Sequence, residues 1–221
     1  MGAVFNMSGG TASQGQLKLS PFYLANYTTY KPYFDGRTLT GFEATRCYIA
    51  PENTTGYAVN WSGKWEIGCA FMQKDTTGNF CLFGRMDSSD YASVPSAELI
   101  GTRLWRGIST SGGTTWTDGY NFDATISANK WFFVRISYDP DTMILRSELT
   151  DDFITFATHD YQMSSPPYST GTNRVYFGGL MKNSTHTKES GCIDLYNTYI
   201  KINGSIVWGC YTGSFPEEAS A

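Results

Sequence analysis

No apolar run in this chain approaches the roughly 18 residues that a membrane-spanning helix needs, so helical insertion into a bilayer is not expected. Nor is there a block of lysine or arginine. The 16 basic residues are scattered among 20 acidic ones for a net charge of −4, which argues against nucleic acid and anionic membrane surfaces as partners. The five cysteines are widely spaced, and no Cys-x-x-Cys pair occurs, so a zinc site is not expected. Cys69 and Cys192 sit inside apolar strand patterns, where a free thiol behaves as a small buried hydrophobe. That pattern predicts reduced thiols in a protein made in cytosol. The opening residues Met1 to Asn6 lack the basic region and long apolar core of a signal peptide. Asn6 also stands where a myristoylation motif wants Ser or Thr. A site of action outside the cell would then be reached by another route, such as lysis. Helical periodicity of any convincing length is missing too.

What is present is strand material. Aromatic residues make up 16% of the chain and glycine contributes 23 residues, a composition that favours strands and tight turns. The segment Gly191 to Gly209 is the most informative. Asn203-Gly204 is the favoured centre of a type I′ hairpin turn, in which both central residues need φ > 0. Before it, Tyr199-Ile200-Lys201-Ile202 alternates, so Ile200 and Ile202 point to a core and Lys201 points out. After it, Ser205-Ile206-Val207-Trp208 returns as a second strand.

Further strands follow at short spacing. Trp65, Ile67, Cys69 and Phe71 share one face, and Phe80 to Phe83 after Thr77-Gly78-Asn79 is expected to form a hairpin with them. Leu99 to Ile108 reads as one strand, with Ile100, Leu104 and Ile108 on one face and Arg103 and Trp105 on the other. Phe132, Val134, Ile136 and Tyr138 share a face opposite Arg135 and Ser137. That strand turns through Asp139-Pro140-Asp141-Thr142 into Met143 to Leu149, and Phe153 to Phe156 extends the meander. Many short alternating strands predict an all-β, two-sheet antiparallel jelly-roll β-sandwich. The expected organisation is a polar N-terminal arm over 1–20, one sandwich domain over 21–213 and a flexible tail over 214–221.

The order of these pieces resembles the concanavalin A-like lectin/glucanase superfamily in its laminin-G-like branch. The residues that carry the resemblance are Trp65-Glu66-Ile67, Leu82-Phe83-Gly84, Trp131 to Asp139, Val175-Tyr176-Phe177-Gly178-Gly179 and the closing Gly191-to-Trp208 hairpin. The closing block is also similar to segments of bacteriophage tail, fibre or head-decoration proteins. The resemblance implies a lectin-like virion protein that binds host-surface glycan, touches other virion proteins and forms a homo-oligomer, trimers being common among such proteins.

Hydrolytic members of that superfamily need two carboxylates flanking the scissile bond. The glucanase pattern Glu-x-Asp-x-x-Glu is not met by Glu189 to Asp194, and Glu66 and Glu148 each stand alone on a strand, as solvated carboxylates do. His159 and His186 neighbour no nucleophile elbow, and His159 reads as a surface-loop histidine. These absences lead to the expectation of a non-enzymatic protein. No cofactor is expected. Calcium is the resemblance's common metal, and Asp87, Asp90, Asp118, Asn121 and Asp123 lie in loops that could contribute oxygens, but their spacing does not build a site.

The ligand-binding candidates are aromatic and polar residues outside the core pattern: Tyr91, Arg103, Trp105, Trp116, Asp118 and Tyr120. A flat ring beside Asp or Asn suits sugars, whose C–H faces stack while hydroxyls hydrogen-bond. Two other readings stand beside this one. The exposed aromatics could serve subunit contacts in a ligand-free decoration protein, or the chain could be a carbohydrate-binding module of a glycoside hydrolase system.

Overall fold

The computed structural model describes residues 33–34, 38–42, 59–74, 76, 79–84, 92, 94–169, 175–177, 193–209 and 211–215, with backbone alone for 33–34, 38–42 and 176. The expected arm over 1–20, Tyr91, Asp87, Asp90, His186 and Cys192 lie outside these residues.

Among the described residues, thirteen strands run in chain order: β1 (Tyr33–Phe34), β2 (Thr38–Phe42), β3 (Trp65–Gln73), β4 (Asn79–Gly84), β5 (Ser96–Ile100), β6 (Arg103–Ile108), β7 (Asp118–Asn121), β8 (Trp131–Asp139), β9 (Ile144–Thr150), β10 (Ala157–Gln162), β11 (Tyr176–Phe177), β12 (Ile193–Ile202) and β13 (Ser205–Gly209). Eight form a larger sheet in the order β1-β2-β12-β3-β8-β9-β10, with β13 on β12. Five form a smaller sheet in the order β11-β4-β5-β6-β7. Every pairing is antiparallel. This is the jelly-roll sandwich that the strand pattern predicts.

The core lies between the sheets. Ile67, Cys69 and Phe71 of β3 and Phe132, Val134 and Ile136 of β8 face inward and are buried. Each such side chain contributes about 1.5–3 kcal/mol by leaving water. Trp65 is buried as well, and its indole N–H donates to the Trp61 carbonyl at 2.6 Å while the two rings meet edge to face. Burial in apolar surroundings pushes the Cys69 thiol up, so it stays protonated.

The closing hairpin forms as the Asn-Gly signal predicts. Asn203 and Gly204 have φ of 49° and 81°, and Ile202 pairs with Ser205 across the two-residue turn. Ile200 is buried and Lys201 points outward.

Three local expectations are corrected. β3 and β4 do not form a hairpin, because they belong to different sheets. Gln73, buried at the end of β3, donates to the Gly101 carbonyl in the β5–β6 turn of the smaller sheet at 3.1 Å, a tie between the two sheets. Leu99 to Ile108 is two strands rather than one. Gly101 adopts φ 61° and turns the chain, pairing Leu99 with Leu104 and leaving Ile100 exposed beyond the core. Phe153 to Phe156 is a loop. Asp152 accepts from the amides of Ile154 and Thr155, both at 2.7 Å, a local arrangement that competes with strand pairing; β10 begins only at Ala157.

Candidate functional site

The outer face of the larger sheet carries the densest polar grouping among the described residues. Strand alternation decides which side chains stand there, and the registers decide which of them meet. Lys201, Glu66, Ser137, Arg146 and Asp160 fall into one row across β12, β3, β8, β9 and β10. Tyr199, Gly68, Arg135, Glu148 and Thr158 form the next row.

Each charge in these rows is held by an opposite one. Arg146 grips Asp160 through two N–H groups at 2.8 and 2.7 Å. Arg135 grips Glu148 in the same forked way, one bond measuring 3.0 Å. Lys201 donates to Glu66 Oε1 at 2.8 Å, and the Tyr199 hydroxyl donates to the same oxygen at 2.6 Å. At the rim, Lys64 meets Asp139 at 2.6 Å. The hydrogen bond from Lys64 and one from the Asp141 amide hold the Asp139 carboxyl below its usual range. Arg146 does the same for Asp160. Burial, with Glu66 close by, pushes the Tyr199 phenol far up, so it is a proton donor and not a base.

Gly68 makes this arrangement fit. A Cβ there would stand 2.8 Å from the Val134 carbonyl oxygen, 3.0 Å from the Tyr199 hydroxyl and 3.1 Å from Arg135 Cβ. The absence of a side chain lets the Tyr199 phenol lie across β3 to Glu66.

One half of this face is covered and the other is open. The next row, Tyr196, Ala70 and Phe133, is apolar. It lies under Phe153, Phe156, Tyr211 and Phe215. Asn197 anchors the returning chain, accepting from the Thr212 amide at 3.2 Å and donating to the Ser214 carbonyl at 2.7 Å. Ser214 and Phe215, expected at the start of a flexible tail, are thus docked on the sheet. The open half is a cleft of about 370 Å³ lined by Lys64, Glu66, Ser137, Asp139, Arg146 and Lys201, with Ile144 as an apolar wall.

The sequence-predicted ligand residues do not assemble in one place. Trp105 and Trp116 meet edge to face, ring centroids 5.1 Å apart. Trp105 lies flat over Gly107 and Gly119, where a Cβ would come within 2.3 and 3.1 Å of the ring. By alternation this is the outer face of the smaller sheet, and Arg103 stands exposed on the same side. Asp118 and Tyr120 belong to the opposite face, paired with Ile108 and Arg106. Arg106 is fully buried, ion-paired to Asp118, and donates to Ser147 across the sandwich at 2.8 Å. Tyr120 stacks on His159 with centroids 3.7 Å apart and lies 5.6 Å from the Arg106 guanidinium.

Two readings of single residues are corrected here. His159 is on strand β10 and half-buried, not in a surface loop. Glu66 and Glu148 are engaged by Lys201, Tyr199 and Arg135, not solvated alone. Alternation in the sequence turns Ser137 and Lys201 of the cleft outward, and Arg135 beside them. Only register brings them together. Among the described residues no group of three His, Cys, Asp or Glu side chains is placed to hold a metal. Of the calcium candidates, Asp118 is engaged by Arg106, while Asn121 and Asp123 are exposed.

No protein-family model and no curated protein matches this sequence. Solved structures do. Alginate lyase A1-II′, a member of polysaccharide lyase family 7, superposes with a TM-score of 0.52 at 15% identity over 80% of this chain and 85% of that one. Domains LG4-5 of the mouse laminin α1 chain match with a TM-score of 0.52 at 15% identity over 89% of this chain and 48% of that one. The binding domain of botulinum neurotoxin serotype D matches with a TM-score of 0.53 at 10% identity over 76% and 40%. The chain therefore spans less than half of the laminin and neurotoxin chains. At such identities the likeness establishes the fold alone, a jelly-roll sandwich of the kind seen in these lyase, laminin and toxin domains and in keeping with the resemblance to concanavalin A-like, laminin-G-like domains.

The lyases correct one expectation outright. The non-enzymatic reading rested on missing paired acids, yet several alginate lyase structures share this fold. A lyase breaks its bond by elimination, which does not call for two hydrolytic carboxylates, so their absence does not argue against activity on this scaffold.

Proposed function

We propose that the protein is a lectin-like, polysaccharide-recognising domain whose ligand lies in the cleft on the outer face of the larger sheet. One observation carries the reading: a row of preorganised polar side chains, Lys201-Glu66-Ser137-Arg146, lines an open cleft with an apolar wall at Ile144, and Asp160 at the end of the row holds Arg146 in place. Sugar recognition asks for this combination of fixed donors and acceptors beside a surface for C–H groups. The carbohydrate connection of the alginate lyases, one of which is seen in complex with substrate, supports the same reading.

A glycan array followed by calorimetry on the best polysaccharide tests it. Arg146→Ala is expected to weaken binding about tenfold or more through loss of charge-assisted hydrogen bonds. Full affinity in that variant and in Lys201→Ala would remove the ligand from the cleft. Trp105→Ala separates the two candidate surfaces: retained affinity points to the cleft, and loss of binding points to the tryptophan pair. Product assays on the bound polysaccharide, for unsaturated ends and for reducing ends, read whether the chain is also cut.

The proposal extends to the setting. Resemblance of the closing block to phage structural proteins supports a place on the exterior of a virus particle, as a homo-oligomer. Antibody labelling of particles by electron microscopy is expected to decorate their surface; unlabelled particles would contradict it.

A further inference from the structure

We infer that the cleft selects neutral, hydroxyl-rich polysaccharides and disfavours polyanionic ones. This rests on the reading of the cleft as a glycan site and adds the chemical class of the ligand. The argument is charge balance at the level of individual pairs. The basic side chains in the cleft and beside it are Lys64, Arg135, Arg146 and Lys201, and each is matched by its own carboxylate: Asp139, Glu148, Asp160 and Glu66. Among the described residues, a uronate or sulfate group entering the cleft would find no cation without an acid already on it. It would have to displace that acid or lie against it, and like charges in close juxtaposition are unfavourable. The whole chain, at −4, adds no attraction for a polyanion.

A hydroxyl meets the opposite situation. It donates and accepts at once, whereas an ionised carboxylate only accepts and a guanidinium or ammonium only donates. Each pair leaves capacity unused. Arg146 commits its Nε and one terminal nitrogen to Asp160, leaving its other terminal nitrogen. Lys201 donates to Glu66 and keeps further N–H groups. Between Glu66 and Arg146 in the row stands Ser137, whose hydroxyl has no side-chain or main-chain partner among the described residues. A diol placed over Ser137 can donate to a carboxylate and accept from a cation within one row. Ile144 offers apolar contact for the ring.

The test is affinity electrophoresis and calorimetry of the full chain against two sets of polysaccharides at low and high salt. The neutral set is a β-glucan, a mannan, a galactan and a xylan; the anionic set is alginate, polygalacturonate and heparin. The expected result is binding of at least one neutral polymer, about tenfold or more tighter than any anionic one, with little change on adding salt, because exposed charge–charge attraction is what salt screens. Asp160→Asn leaves Arg146 without its acid and is expected to raise affinity for the anionic set several-fold. The pair is half exposed, at 48% and 41%, so its loss has little effect on stability. Tighter, salt-sensitive binding of a polyanion that is lost in Arg146→Ala would overturn the inference while leaving the cleft as the glycan site. Binding of neither set, or binding indifferent to Arg146→Ala and Ser137→Ala, would overturn the reading on which it rests.

Discussion

At the scale of single residues, Gly68 and His159 make the account testable. The Gly68 position has no room for a methyl group, since its Cβ would press on the Val134 carbonyl and on the Tyr199 hydroxyl. Gly68→Ala is expected to cost about 1–3 kcal/mol, the usual range for overpacking, read by chemical denaturation. It should also shift the Tyr199 phenol from Glu66; unchanged stability would mean that the strands yield there easily. His159 carries a pH signature. Burial is the larger cause and the Arg106 charge the second in holding its pKa below the ordinary value of 6.5. The folded state therefore prefers the neutral ring. Stability is fully present above about pH 6.5, the unfolded value, and is lost as pH falls through the lower folded one. His159→Phe, which keeps the stack on Tyr120, is expected to flatten the melting temperature between about pH 5 and 7. An unchanged pH profile would show that His159 takes up no differential proton. Asp152 acts lower down. Backbone amides of Thr155 and Ile154 hold its carboxyl at about 2, so its contribution is present above 3.8 and disappears as pH falls through about 2.

Elements were legible in the sequence where a side chain's face follows from alternation. The inward faces of β3 and β8 and the turn at Asn203-Gly204 needed only local information, periodicity in one case and positive φ in the other. Beyond the β8–β9 and β12–β13 hairpins, whose turns announce them, partnership was not legible. Alternation tells which way Phe80 points but not that β4 pairs with β5 and β11 instead of β3, and no period marks the turn at Gly101 inside an apolar run. The same limit hid the site: Glu66 lies far in the chain from the Arg135–Glu148 hairpin pair and joins it only through the β3-β8 register. The docked C-terminal segment was equally invisible, because Tyr211 and Phe215 sit in a short polar stretch with no pattern. At this scale the prediction concerns that segment. Tyr211 rests against Phe133 and Tyr199, with centroids 5.5 and 4.9 Å away, and Phe215 against Phe153 at 4.2 Å. A chain ending at residue 210 is expected to lose about 2–5 kcal/mol, as other large aromatic deletions do, and to bind more of a hydrophobic dye. Equal stability and equal dye binding would show that the segment is not part of the packed structure.

The whole molecule is a two-sheet sandwich that presents different chemistry on its surfaces. The smaller sheet turns the Trp105–Trp116 pair outward. Between the sheets, Arg106 ties Asp118 on β7 to Ser147 on β9. The outer face of the larger sheet is apolar and covered at one end, polar and open at the other. The fold alone does not choose among binding and catalysis, since lyases, laminin domains and a toxin binding domain share it. The choice of ligand surface falls to the site, and the paired charges of the cleft point to a neutral glycan. The most direct measurement is a calorimetric titration of the intact chain and of Arg146→Ala with the tightest-binding neutral polysaccharide. The account predicts saturable binding by the intact chain, nearly independent of salt, and an affinity about tenfold or more weaker in the variant. Equal affinity of the two proteins for that polysaccharide would contradict it.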